Sequence, residues 1–216
     1  MHIVTNPAEI ERRSLEIIGE TLRTEYADMQ FEPRNMNVLK RVIHATADFD
    51  YARNLFFSTG AVPTALQALK NGARIVTDTQ MAKAGINKKT VAELGCELHC
   101  FIDAPEVVET ARINGYTRAR AAVDRAAGMF DDAVIFVVGN APTALIRLHE
   151  LITENAYKPV FIIGVPVGFV NVTESKELIL GLGVPHIVAK GRKGGSSVAA
   201  AICNALLYEA AERVWA

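Results

Sequence analysis

The sequence predicts a single doubly wound α/β domain over residues 1–216: a mostly parallel sheet of about five strands with helices on both faces. Two observations predict it. Short, continuous apolar runs recur along the chain, and helical patterns separate them; strands buried on both faces read as such runs because neither face needs polar residues. The chain is also large and apolar enough for one full core, with 216 residues, 50% of them hydrophobic and 22% charged.

The elements follow in order. Asn6-Pro7-Ala8-Glu9 supplies a capping amide, a proline at the first helical position and a glutamate able to fold back on the cap. Ile10, Ile17, Ile18 and Leu22 then mark one apolar face. A second helix holds Val38, Leu39 and Val42 and ends near His44. Residues 62–71 form a third, stopped by Gly72. Strand 74–78 precedes a helix over 88–94 that Gly95 ends. Strand 97–102 precedes helices over 105–114, ended by Gly115, and 117–128. Strand 133–138 precedes a helix over 142–154, strand 160–165 a helix from near Thr173, and strand 186–189 a long C-terminal helix from about Ser196. The apolar stretch of that last helix, Val198 to Trp215, offers a subunit interface.

Composition excludes several classes. The net charge is −1, from 23 basic and 24 acidic residues, which is no footprint for nucleic acid. An anionic ligand must therefore be held by local Arg and Lys. Cys96, Cys100 and Cys203 make no disulfide framework, and a reducing cytoplasm is the simpler reading. The N-terminus turns polar after four residues, unlike a signal peptide. The longest apolar run, 133–138, has the length of a strand and not of a membrane span.

In open parallel sheets, ligands bind beyond the carboxyl ends of the strands. The segments after the predicted strands are unusual: Asp78-Thr79-Gln80-Met81, Asp103-Ala104-Pro105, Gly139-Asn140-Ala141-Pro142-Thr143, Pro166 to Asn171, and Lys190 to Ser197. The last carries Arg192, Lys193 and free N–H groups at a helix start, which favour an anion. It reads equally well as a glycine-rich turn with a serine cap. GNAPT reads as Asn140 capping a helix with Pro142 at an early position. No GxxxxGK[ST] or strand-linked GxGxxG is present. Cys96, His99 and Cys100 make a poor metal set, because on a strand His99 points away from both cysteines. Asp48, Asp50 and Asp78 read either as an acid/base pair or as caps, and Ser14 lacks a nucleophile elbow. Arg118 stands out from Arg120 and Arg125 because it opens its helix where the strands end. Of the five histidines, His2, His44, His99, His149 and His186, His44 has the most site-like neighbours, although a lone histidine beside Val42 and Ile43 is more often structural.

Taken together, the motifs resemble the precorrin-8X methylmutase family of cobalamin biosynthesis. The resemblance spans nearly the whole chain: IERRSLEII, RVIHATADFDY, IVTDTQMAKAGINK, TRARAA, GNAPTALIRL, GVPVGFVNVTESKE and GRKGGSSVAAAICNALLY occur in order. It implies a flavodoxin-like sheet and a homodimer with active sites near the subunit interface. It also implies an isomerase that moves a methyl group from C11 to C12 of a contracted tetrapyrrole. The family's catalytic histidine falls on His44, and the wording HATADFD is similar to that of the cobalt-dependent, anaerobic-route members. By the same resemblance, Ser14, Arg41 and Arg118 contact substrate. Lys176, Arg192, Lys193, Gly195 and Ser196 are added from local chemistry. No cofactor or protein-bound metal is expected, since cobalt, where present, belongs to the substrate. Two other readings stay open: a corrinoid carrier without turnover, and an enzyme acting on a phosphorylated metabolite through GRKGGSS.

Overall fold

The structure, a computed structural model, describes residues 4–154 and 156–213, so His2 and Trp215 lie outside it. One sheet contains β1 (Leu55–Phe57), β2 (Arg74–Thr77), β3 (Glu97–Cys100), β4 (Val134–Val138), β5 (Phe161–Gly164) and β6 (His186–Ala189), in the order β1-β6-β5-β4-β2-β3. Strands β2 to β6 pair in parallel, each inside the apolar run that predicts it. The expected count of five strands is corrected by β1, which pairs antiparallel with β6, Leu55 opposite Ala189 and Phe57 opposite Ile187. Three residues are too few to show a period, and the partner lies near the other end of the chain.

Alternation along the strands divides the interior. In β4, Ile135 and Val137 enter one core, while Val134, Phe136 and Val138 enter the other. The first core is covered by α4 (Ala61–Lys70) and α11 (Ser196–Ala210), with α2 (Met36–Thr46) packed on α11 and α1 (Pro7–Glu25) on α2. The second is covered by α8 (Arg118–Met129), α9 (Pro142–Thr153) and α10 (Val172–Leu180). Residues Val198 through Cys203 are all buried, and α11 packs against α2, α4 and α5 (Gln80–Gly85). The expectation that α11 supplies a subunit interface is therefore corrected over its described part: a helix apolar on all sides belongs inside.

Short helices are the other differences. The segment after β2, expected as an irregular loop, starts α5, whose first turn is capped by Thr79 Oγ accepting from the Ala82 N–H at 3.1 Å. The chain continues through α6 (Lys88–Glu93), and α7 (Pro105–Asn114) precedes α8. Residues α2 and β1 are joined through α3 (Tyr51–Asn54). Helix α2 runs to Thr46, past His44, and ends on Ala47, a left-handed residue with φ 52° whose N–H donates to the Ile43 carbonyl. The strand order sends the chain from β2 toward β3 on one side and from β4 toward β5 on the other. The crevice between β2 and β4 is the place such sheets leave open. Among the described residues, no helix is long and apolar enough to cross a membrane.

Candidate active site

A cleft of about 550 Å³ opens at that crevice, lined by Thr79, Gln80, Asp103, Arg118, Asn140 and Thr143 among others. Arg118 is the first residue of α8, after the Thr117 cap, and its guanidinium donates to Asp103 at 2.9 Å in an exposed pair. Beneath the cleft lies Asp78, only 6% exposed. Its carboxylate accepts from the N–H groups of Gly139, Asn140 and Ala141 at 2.9, 2.8 and 2.7 Å. Burial raises the Asp78 pKa, and the three N–H donors only partly offset this. Neither reading of GNAPT and Asp78 is complete. The helix cap is Ala141, without a side-chain bond of its own, and the charge at the start of α9 comes from a different loop.

The segment after β6 is built over an ion of opposite sign. Lys176 of α10 is fully buried, and its ammonium donates to the carbonyls of Gly191 and Lys193 at 2.7 and 2.9 Å. Burial pulls its pKa down to about 8. Lys176 thus supports the loop from below, which corrects its expected place among the substrate contacts. Helix periodicity carries the missed signal, because Lys176 shares the inward stripe of Val172 and Ile179. From the other side the Gly195 N–H donates to the Val165 carbonyl at 2.9 Å and the Gly168 N–H to the Arg192 carbonyl at 3.2 Å. A Cβ on Gly194 would meet the Val165 oxygen at 2.1 Å, so only glycine passes there.

Above this loop the surface is apolar and cationic. Phe169 and Val170 are 84% and 77% exposed, and the Arg192 guanidinium sits 5.8 Å from the Phe169 ring centroid. Lys193 reaches the other way, to Asp48 at 2.6 Å and Asp50 at 2.5 Å. The pair holds the Asp48 carboxyl below its usual range and the Lys193 ammonium above its own. Ser196 Oγ shares a 2.8 Å hydrogen bond with Thr79 Oγ, which joins the α11 start to the cleft.

His44 is exposed in the last turn of α2, and its ring makes no hydrogen bond among the described residues. One turn earlier, Arg41 donates to Glu11 at 2.7 Å and lies over the Tyr208 ring. Ser14 Oγ donates to the Ile10 carbonyl one turn back on α1. Ser14, Arg41 and His44 therefore gather on the α1–α2 pair. The Lys193–Asp48–Asp50 clamp ties that pair to the β6 loop, while Arg118 lines the cleft, which none of Ser14, Arg41 and His44 enters. His99 pairs with Glu97 and stacks on Phe101, the three cysteines are free, and no metal-binding group of His, Cys, Asp or Glu occurs among the described residues.

Residues 9–209 match the family described as precorrin-8X methylmutase. The chain is 46% identical to the cobalt-precorrin-8 methylmutase of Salmonella typhimurium, over 98% of this chain and 100% of that one. It is 38% identical to the precorrin-8X methylmutase of Pseudomonas aeruginosa, over 88% of this chain and 91% of that one. Among solved structures, the precorrin-8X methyl mutase of Thermus thermophilus superposes with a TM-score of 0.86 at 41% identity, covering 94% of this chain and 96% of that one.

Proposed function

Since the chain belongs to the precorrin-8X methylmutase family and is an isomerase of corrin ring biosynthesis, we propose that its substrate is cobalt-precorrin-8 and that His44 is the proton partner of the ring. The single observation that carries the role of His44 is its setting. It is an exposed imidazole that hydrogen-bonds nothing among the described residues, four positions before Asp48, which Lys193 of the β6 loop holds. The cobalt form is favoured by the HATADFD wording and by the name of the Salmonella relative.

The family's reaction, a methyl shift from C11 to C12, is a concerted [1,5]-sigmatropic step and needs no nucleophile or cofactor. What remains for the protein is to hold the macrocycle and to adjust one proton on its conjugated system. A positioned donor contributes about 10²–10⁴-fold. Val167, Phe169 and Val170 offer the flat apolar support, and Arg192 lies beside them for a ring carboxylate. Arg41 and Arg118 would each exchange a protein carboxylate, Glu11 or Asp103, for one of the substrate's. Lys193, held by two acids, fits better as a strut between His44 and the loop.

The sheet order, flavodoxin-like with one added edge strand, supports the same reading. The action is cytoplasmic and the enzyme a homodimer. With α11 interior, the exposed Ile10 and Ile17, one turn to either side of Ser14 on α1, offer an apolar surface for the partner subunit. The N–H groups that lead into α9 are already bonded to Asp78, so a phosphorylated metabolite would have to be held by GRKGGSS without help from that loop.

The test is His44→Ala. Turnover of cobalt-precorrin-8 to cobyrinate, followed by the visible spectrum, should fall about 10²–10⁴-fold while cobyrinate still binds. Undiminished turnover would return His44 to a structural role, and a wild type that binds cobyrinate without turnover would favour the carrier.

A further inference from the structure

Lys176 has no carboxylate partner among the described residues. Burying an unpaired ammonium is costly, so the loop it holds must gain something that neutral packing would not supply. We propose that Lys176 is a positioning residue for substrate binding: by drawing the Gly191 and Lys193 carbonyls inward, it turns the Arg192 and Gly194 N–H groups outward to hold a ring carboxylate.

The geometry follows from the planar peptide. No peptide bond among the described residues is cis, and in a trans unit the C=O and the next N–H point in opposite directions. Fixing the Gly191 oxygen on Lys176 aims the Arg192 N–H away from it, and fixing the Lys193 oxygen does the same for the Gly194 N–H. Neither N–H donates to a protein acceptor among the described residues. The loop has little freedom to flip back, because Gly194 lies against the Val165 carbonyl and Gly195 donates to it. Two outward N–H dipoles backed by a buried positive charge make an anion-binding concavity. Its neighbours are Arg192 and the bare Phe169, the surface on which the corrinoid reading rests the ring. The inference rests on that reading.

Lys176→Met keeps the volume and removes charge and donors; Lys176→Gln restores donors without charge. At a temperature well below unfolding, the Met variant should raise KM for cobalt-precorrin-8 and Kd for cobyrinate about tenfold or more, with kcat within about threefold. The Gln variant should recover part of that loss. A purely structural lysine would lower thermal stability and leave both constants alone. In the wild type, saturating cobyrinate should slow amide hydrogen exchange at Arg192 and Gly194. This measurement decides the matter by itself if neither variant folds. Wild-type KM and Kd in the Met variant, or unchanged exchange at both amides, would overturn the proposal. A wild type that does not convert cobalt-precorrin-8 would instead overturn the reading beneath it.

Discussion

The loops after β4 and β6 stand on the same margin of the sheet, each over a buried ion, and the ions differ in sign. Asp78 gathers three N–H groups, whereas Lys176 gathers two carbonyls. Burial pushes both toward neutrality, the carboxyl upward and the ammonium down to about 8. The consequence for a ligand is opposite. The anion consumes the backbone donors that open α9, so a ligand carboxylate at that end of the cleft must rely on side chains such as Arg118. The cation consumes acceptors and leaves donors facing out. A polycarboxylate ring is thereby directed to the β6 side, where Arg192 and Phe169 also lie.

The largest test of this contrast is Asp78→Ala. Stranding three N–H groups in a buried site should cost about 4 kcal/mol in urea unfolding. A loss under about 1 kcal/mol would mean that water replaces the carboxylate and that the two loops are not distinguished by their ions. The second test uses pH. Lys176 titrates near 10.5 when unfolded and about 8 when folded. Between those values the unfolded chain binds the extra proton, so the residue's contribution to stability rises with pH across that window. The unfolding free energy of the wild type minus that of Lys176→Met should climb by roughly 2 kcal/mol from about pH 7.5 to 9.5. A flat difference would remove the buried charge from the account. The smallest test concerns the turn after α2, which is held by the exposed Lys193–Asp48 pair and not by a buried ion among the described residues. Ala47 holds φ 52° with a Cβ, and Ala47→Gly should add about 0.5–1 kcal/mol to stability. Thermal unfolding checks this, and a loss would show the turn to be unstrained.

Much of the fold is legible in the sequence because its signals are local. HIVA coincides with β6, and Pro105 and Gly115 bracket α7 as start and stop. The strand-end position of Arg118 is legible for the same reason, since Thr117 caps the helix it begins. What escapes is set by distant partners or by lengths too short for a period. β1 has three residues, and α5 hides in a segment rich in turn formers. The roles of Asp78 and Lys176 depend on backbone groups 61 to 63 and 15 to 17 positions away in the chain. A cation near a helix start looks ligand-facing until its stripe is read, with Val172 before it and Ile179 after it on the inward side. His44 is visible from the outset as an odd histidine, but no local pattern explains why it finds no partner among the described residues.

The short antiparallel strand β1 has a mechanical consequence. Without it, β6 would be the outer margin of the sheet, free to fray and exposed to strand exchange with another chain. Bonding Leu55 to Phe57 along β6 makes that strand interior, and the Lys190 N–H, at the root of the next loop, donates to Asn54 at 2.8 Å. Three residues thus act as a splint, so that the segment bearing two outward amides leaves the sheet from a stiff base.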